Sequence, residues 1–345
     1  MKSRKLQPFT PISPPNPLPL EMRVLIVGPS WVGDAVMAQS LYKVLVNNNP
    51  ATQIDVLTPE WSSNILQRME EVAGIVVSPF DHGELKLKAR VGFGRDLVAK
   101  NYDQAIILTN SFKSALIPFF AKIPLRTGWL GEMRYGLIND IRRIDKESCP
   151  LMVEQFVALG EESAKALERP IAYPTLFVDS DNLKQLSNSH KFDLSLPSIA
   201  LCPCAEFEPK RWPAHYFSEV ADEYLSKGWQ VVLLGSSSPK DKIVAEEVTK
   251  GLSEDLGGLY FDLIGRTNLT DAVDILSSMD VALTNDSGLM HVAAAVDTAL
   301  VALYGPSSPG FTPPLSSKAK VLERENLVEI KPDEVLEALD QTTCK

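Results

Sequence analysis

Cysteine is scarce, with four in 345 residues. Cys149 and Cys344 stand alone. Cys202 and Cys204 are two apart on an expected strand, sharing a face, with no second pair and no histidine at ligand spacing. Neither a disulfide framework nor a Cys/His metal centre is indicated, and plain packing suffices for these thiols. Long apolar runs are missing too: nothing approaches the ~20 residues of a membrane span. The opening "MKSRKLQPFTPISPPNPLPLE" is basic but has no apolar core, and its six prolines favour a loose tail over an export signal. The cytoplasm is the expected compartment. There is no excess of positive charge; the formal net charge is −10, which argues against a nucleic-acid-binding protein. A G-x-G-x-x-G fingerprint and a P-loop are both missing.

What is present is a β-α alternation that runs twice. "RVLIVG", "IDVLT", "GIVVS" and "DQAIIL" read as strands followed by helical segments, and the pattern restarts with "SIALCP", "WQVVLLG", "YFDLIG", "DVALTN" and "ALVALYG". Helices are expected from about Ala214, Lys240, Leu269 and Leu289. The fold class is therefore α/β: two Rossmann-like, doubly wound parallel-sheet domains around a central cleft. The expected organisation is a Pro-rich disordered tail over 1–21, a first domain over 22–175, a second over 176–331, and a C-terminal helix over 332–345. The join falls within Pro170–Pro197. Residues 22–175 hold 17 basic and 17 acidic side chains, whereas 176–345 hold 14 and 26. Two segments of the first half are locally basic: "KLKARVGFGR", with Lys86, Lys88, Arg90 and Arg95, and the stretch with Lys113, Lys122, Arg126, Arg134, Arg142 and Arg143. Such runs are a solvated face or a site for an acidic acceptor.

In open α/β sheets ligands bind beyond the carboxyl ends of the strands, so the strand-to-helix loops carry the chemistry. "TNDSGLMHVAAA" ends a strand near Asn285 and starts a helix near Ser287. The free N–H groups of that first turn suit a phosphate, Gly288 allows close approach, and Ser287 can donate or cap. His291 follows one turn in. Asp286 does not suit an anion alone, but a carboxylate accepts from sugar hydroxyls. Without a ligand the same residues read as an N-cap box. "CPCAEFEPKRWP" offers Lys210 and Arg211 to a diphosphate. "LLGSSSPKD", with Gly235, Ser236 and Ser237, suits a ribose or base, as does Thr267 after the next strand. In the first half, "GPSWVGDAVM" places Ser30 and then Asp34 at a helix start, where the dipole keeps a carboxylate ionised. Asp34 is a general base or a helix cap.

The stretches "GPSWVGD", "NSFKSALIPFF", "RTGWLGEMRYGLIND", "LMVEQF", "KRWP", "TNDSGLMHVAAA" and "LVALYGPSSP" resemble the heptosyltransferases of glycosyltransferase family 9, across nearly all of residues 22–315. The resemblance implies the GT-B fold and transfer of L-glycero-D-manno-heptose from ADP-heptose to the first heptose of a Kdo-lipid A inner core. It implies inversion, no bound metal and no cofactor, and an enzyme peripheral on the inner face of the inner membrane. Asp34 then corresponds to the base and Lys210 to the lysine near the donor phosphates. Asp286, Ser287, Gly288 and His291 correspond to the donor-contacting run. Ser30, Lys86, Lys113, Arg126 and Arg134 become the expected acceptor contacts. The register of Lys210 against Arg211 stays open. Rival readings are another family 9 heptosyltransferase with a different acceptor, a nucleotide-sugar epimerase and a non-catalytic nucleotide-sugar-binding protein.

Overall fold

A strand covered on both faces must be apolar at every position rather than at alternate ones. "LIV", "AII", "IALC" and "LVALY" meet that condition. In the computed structural model, which describes residues 21–80, 83–162, 166–253 and 257–343, they are the inner strands of two sheets. The expected tail, apart from Glu21, and Cys344 lie outside the described residues. The first sheet comprises β1 (Met22–Val27), β2 (Thr52–Pro59), β3 (Val72–Ser78), β4 (Gln104–Ile107), β5 (Leu125–Trp129) and β6 (Asp140–Arg142), in the order β3-β2-β1-β4-β5-β6. The second comprises β7 (Ser198–Cys202), β8 (Gln230–Leu233), β9 (Tyr260–Asp262), β10 (Val281–Asn285), β11 (Leu300–Tyr304) and β12 (Ala319–Glu323), in the order β12-β11-β10-β7-β8-β9. All pairings are parallel. Both halves repeat one plan, with the strand order reversing between β1 and β4 and again between β7 and β10. A ligand crevice opens at such switch points. β5, β6 and β12 were not expected from the sequence.

Helices begin within a residue of the expected starts, at Ala214, Pro239, Leu269 and Gly288. The segment joining the halves lies along the helix Val32–Asn48: Ser40 Oγ donates to Ala172 O at 2.7 Å and Lys43 Nζ to Tyr173 O at 3.0 Å. A buried ion pair ties the halves together. Arg68 lies 2.6 Å from Asp274, whose side chain is fully buried and also accepts from Asp179 N at 2.8 Å. Removing either partner would strand a buried charge. The helix Pro332–Thr343 buries Val335, Ala338 and Leu339 in the second half's core, beside Trp212 and Phe217. It is a layer of that domain, not an appendage. The two cysteines expected to share a strand face do not. Cys202 ends β7 and joins one core cluster, Cys204 lies beyond the strand and joins another, and burial pushes the Cys202 thiol up to about 12.

Candidate functional site

At the second switch point the loops after β7 and β10 meet. The β7 loop closes in a short 3-10 turn, Glu208–Lys210, started by Pro209, and presents Lys210 Nζ 2.6 Å from Asp286 Oδ2. Asp286 is nearly buried there while Lys210 is partly exposed. The neighbouring Asn285 fixes this meeting. Its buried side chain accepts from Trp212 N at 3.1 Å and donates to Pro203 O at 2.7 Å, stapling the lysine-bearing loop to the strand that carries Asp286. Sequence reading passed over Asn285, although it stands inside the quoted motif. Lys210 and Arg211 are now distinguished. Arg211 turns away, donating from Nε to Ala205 O at 2.6 Å and approaching Asp241 at 4.0 Å. It holds the loop's shape, and of the two it is Lys210 that reaches Asp286 at the switch point.

Ser287 occupies the N-cap position of the helix Gly288–Ala295, yet its side chain caps nothing. Its Oγ is buried without a hydrogen-bond partner. An unsatisfied hydroxyl at a helix N-terminus, next in sequence to the aspartate that Lys210 contacts, is a donor for phosphate oxygens. The plain capping reading of "TNDSG" is not what this geometry does.

The first half supplies the opposite wall. Asp34 is the third residue of the helix Val32–Asn48, whose N-cap is Trp31 with no side-chain cap bond; Asp34 is therefore not a cap. Its carboxyl does not stay in the ordinary range as the dipole alone would have it. Burial raises it to about 6, with Lys210 opposing and Asp286 adding to the rise. That triad of influences puts Asp34 of one domain in the field of Lys210 and Asp286 of the other. A carboxylate poised near 6 matches general-base work near neutrality.

The two helix N-termini touch. A Cβ on Gly33 would sit 2.6 Å from His291 Cδ2, and one on Gly288 would sit 3.1 Å from Val32 Cβ. His291 thus packs against the backbone of Gly33 as well as standing near the donor loop, and burial lowers its pKa to about 4, leaving it neutral at working pH. Gly33→Ala should push these domains apart and lower stability by about 1–3 kcal/mol, the usual cost of overpacking. A melting temperature equal to the parent's would contradict this close approach.

The remaining expected residues divide. Ser236 gives both its N–H and its Oγ to Asp241 (3.0 and 2.6 Å), and Ser238, not its neighbours, caps the following helix. Gly235 packs tightly, its Cβ position 2.9 Å from Cys204 Sγ. Gly265, at φ +71, packs so near Ser237 that an added Cβ would sit 3.2 Å from its Cα, so Thr267, bonded to Leu263 O at 3.3 Å, shares an edge with the serines. In the first half a cavity of about 580 Å³ opens beyond β1–β4, lined among others by Ser30, Trp61, Phe80, Arg90 and Lys113. Of the expected acceptor contacts, Ser30 and Lys113 line it. Lys86 lies outside the lining, 2.8 Å from Glu84. Arg134 is buried and gives its guanidinium to Thr109 O, Trp129 O and Asn110 Oδ1 (2.7, 2.5 and 3.3 Å). Arg126 donates to Leu137 O and Ile123 O, each at 2.6 Å. Carbonyls turned inward by irregular loops need donors, and these two arginines supply them instead of reaching the cavity. Arg90 is likewise committed to Leu85 O and Glu84 O. Trp61 was not anticipated; it lines the cavity with its indole N–H pinned on Ser30 O at 2.9 Å. Among the described residues no group of three His, Cys, Asp or Glu is arranged to hold a metal.

Comparison with known proteins agrees with this fold. The model of glycosyltransferase family 9 (heptosyltransferase) matches residues 90–337. Lipopolysaccharide heptosyltransferase 2 of Salmonella typhimurium strain LT2 is 45% identical over 92% of this chain and 97% of its own length. The protein of the same name from Escherichia coli K12 is 44% identical over 92% of this chain and 98% of its own. The solved structure of E. coli ADP-heptose lps heptosyltransferase II superposes with a TM-score of 0.86 at 43% identity, covering 93% of this chain and 98% of that one.

Proposed function

Because the chain belongs to glycosyltransferase family 9, the heptosyltransferases, we propose that it transfers L-glycero-D-manno-heptose from ADP-heptose to the first heptose of a Kdo-lipid A inner core. This is the second heptose addition of lipopolysaccharide core assembly. The observation that carries the reading is the close approach of the two helix N-termini, Gly33 to His291 and Gly288 to Val32, which brings the helix start bearing Asp34 to the domain that holds the Lys210–Asp286 pair. ADP-heptose lies at the second switch point. Lys210 and the Ser287–Gly288 helix end take the diphosphate, and the Ser236–Ser237 and Thr267 edge takes the nucleoside. Asp286 positions Lys210 and keeps an oxygen for sugar hydroxyls. The acceptor occupies the first domain's cavity with a hydroxyl directed at Asp34.

Attack occurs in line on the anomeric carbon, and configuration inverts. Asp34 takes the hydroxyl proton as the bond forms. ADP departs with its growing charge on Lys210 and the helix N–H groups, the larger of the two contributions to rate. Closure of the cleft excludes water, which would otherwise intercept the donor. The fixed cation and helix end supply what a metal supplies elsewhere, so transfer is metal-independent and needs no cofactor. The protein works at the inner-membrane surface, on its cytoplasmic side, and takes no part in nucleic-acid binding.

Two experiments test this reading. ADP should raise the melting temperature well above UDP, GDP or NAD; equal stabilisation by UDP would contradict the donor assignment. ADP release from ADP-heptose should require the acceptor and persist in excess EDTA. Full loss in EDTA, restored by Mg²⁺ or Mn²⁺, would overturn the metal-free mechanism. Donor converted without stoichiometric ADP release would favour the epimerase reading, and donor bound with no conversion the scaffold reading.

A further inference from the structure

Large apolar side chains left in water are unevenly placed on this chain. On the carboxyl-end loops of the first sheet, Trp31, Trp61, Leu85, Phe112, Met133 and Tyr135 are all exposed, Met133 by 82% and Tyr135 by 66%. The matching loops of the second sheet expose Phe207 and Phe311. The apolar loops ring the mouth of the 580 Å³ cavity, whose lining includes Trp61, Leu85, Phe112 and Lys113.

The turn with the two most exposed residues is built, not loose. Glu132 and Met133 both adopt positive φ, +40° and +49°, a conformation that non-glycine residues avoid and that persists only where surroundings enforce it. Three contacts enforce it here. The Glu132 carboxylate accepts from Phe112 N at 2.5 Å. Arg134 is bonded to the loop after β4 and to the end of β5. Gly131 lies so near Asn110 O that a Cβ would be 3.3 Å from it. The buried arginine anchors the turn's base while Met133 and Tyr135 project from its tip. Lys113 lines the cavity beside Phe112 and Lys88 is exposed three residues after Leu85, while two acids of these loops are engaged, Glu84 with Lys86 and Glu132 with Phe112 N. Apolar tips with lysines between them fit an anionic lipid surface, where the tips enter the headgroup boundary and the lysines meet phosphate.

We infer that the rim formed by the loops after β1 to β5, led by the Glu132–Tyr135 turn, is a docking surface for anionic lipid bilayers and opens the acceptor cavity directly onto the membrane. The inference rests on the proposed lipid-borne acceptor, and its test needs neither donor nor acceptor. Purified protein is sedimented with vesicles of phosphatidylglycerol and phosphatidylcholine, or of phosphatidylcholine alone. The parent should sediment with the anionic vesicles and be released by salt. Met133→Ser/Tyr135→Ser, and more weakly Met133→Ser alone, should reduce partitioning, by roughly tenfold or more for the double variant. Melting temperature, and transfer to a delipidated, water-soluble acceptor sugar, should be unchanged. Failure of the parent to sediment, or equal sedimentation of the double variant, would overturn the inference. So would a parent that is dimeric in solution and a variant that is monomeric, since the rim would then be a protein interface. Failure of the heptosyl-transfer reading would appear instead as no ADP release by the parent with either acceptor.

Discussion

Asp34→Asn should lower kcat by roughly 10²-fold or more, the usual range for a lost general base, while ADP affinity stays at the parent value. Asparagine keeps the size and polarity of the side chain but cannot take the acceptor's proton. The parent's kcat/KM should fall as pH drops below about 6, where Asp34 protonates, and the variant should lack that limb. The same substitution should stabilise the fold. Asp34 has a folded-state pKa raised from 3.8 to about 6, so the folded chain holds the proton more tightly than the unfolded chain does. The ionised form therefore weakens the fold above pH 6, and that penalty fades as pH falls towards 4. Removing the charge should add about 1–3 kcal/mol at pH 7.5, visible as a melting temperature a few degrees higher. A functional carboxylate that costs stability is the trade-off expected of an active site. Calorimetric ADP titration, single-turnover transfer and thermal melting decide the case. Near-normal kcat would show that the base lies elsewhere in the first domain.

Lys210→Ala should act differently. Its ammonium is the charge that points at the second switch point, and a charge-assisted bond to phosphate contributes about 1.5–3 kcal/mol. ADP should bind roughly 10- to 100-fold more weakly. kcat should fall as well, since leaving-group charge grows towards the transition state. Stability should also drop, because Asp286 is nearly buried and loses its 2.6 Å partner. A double substitution, Lys210→Ala with Asp286→Ala, should recover most of that stability without recovering ADP binding. Asp34→Asn and Lys210→Ala thus separate base from leaving-group stabiliser. If Lys210→Ala bound ADP like the parent, the diphosphate would have to sit elsewhere.

How far the sequence disclosed this can be followed residue by residue. The inner strands were legible because burial on both faces demands unbroken apolar runs, as in "IALC" and "LVALY". β5, β6 and β12 were not: "LRTGW", "DIR" and "AKVLE" lie towards or at sheet edges, where half-exposed positions accept polar residues. The site loops were legible because a strand-to-helix turn with small residues and an isolated charge has few uses. The partners of those charges were not. Nothing in the composition of "RTGWLGEMRYG" says that Arg126 and Arg134 are spent on backbone carbonyls, since that depends on how an irregular loop turns its C=O groups. Asn285 was missed because its job, bridging β7 and β10, involves residues more than 70 positions apart. Asp34 was placed at the right helix end, but the dipole was weighed without burial, and burial prevails.

The most direct test of the central claim is the mass of the acceptor after reaction. Incubated with ADP-heptose and a heptosyl-Kdo-lipid A acceptor, the parent protein should add one heptosyl residue per acceptor and release one ADP for each heptose added. An acceptor of unchanged mass, with ADP-heptose either intact or converted without transfer, would contradict the account.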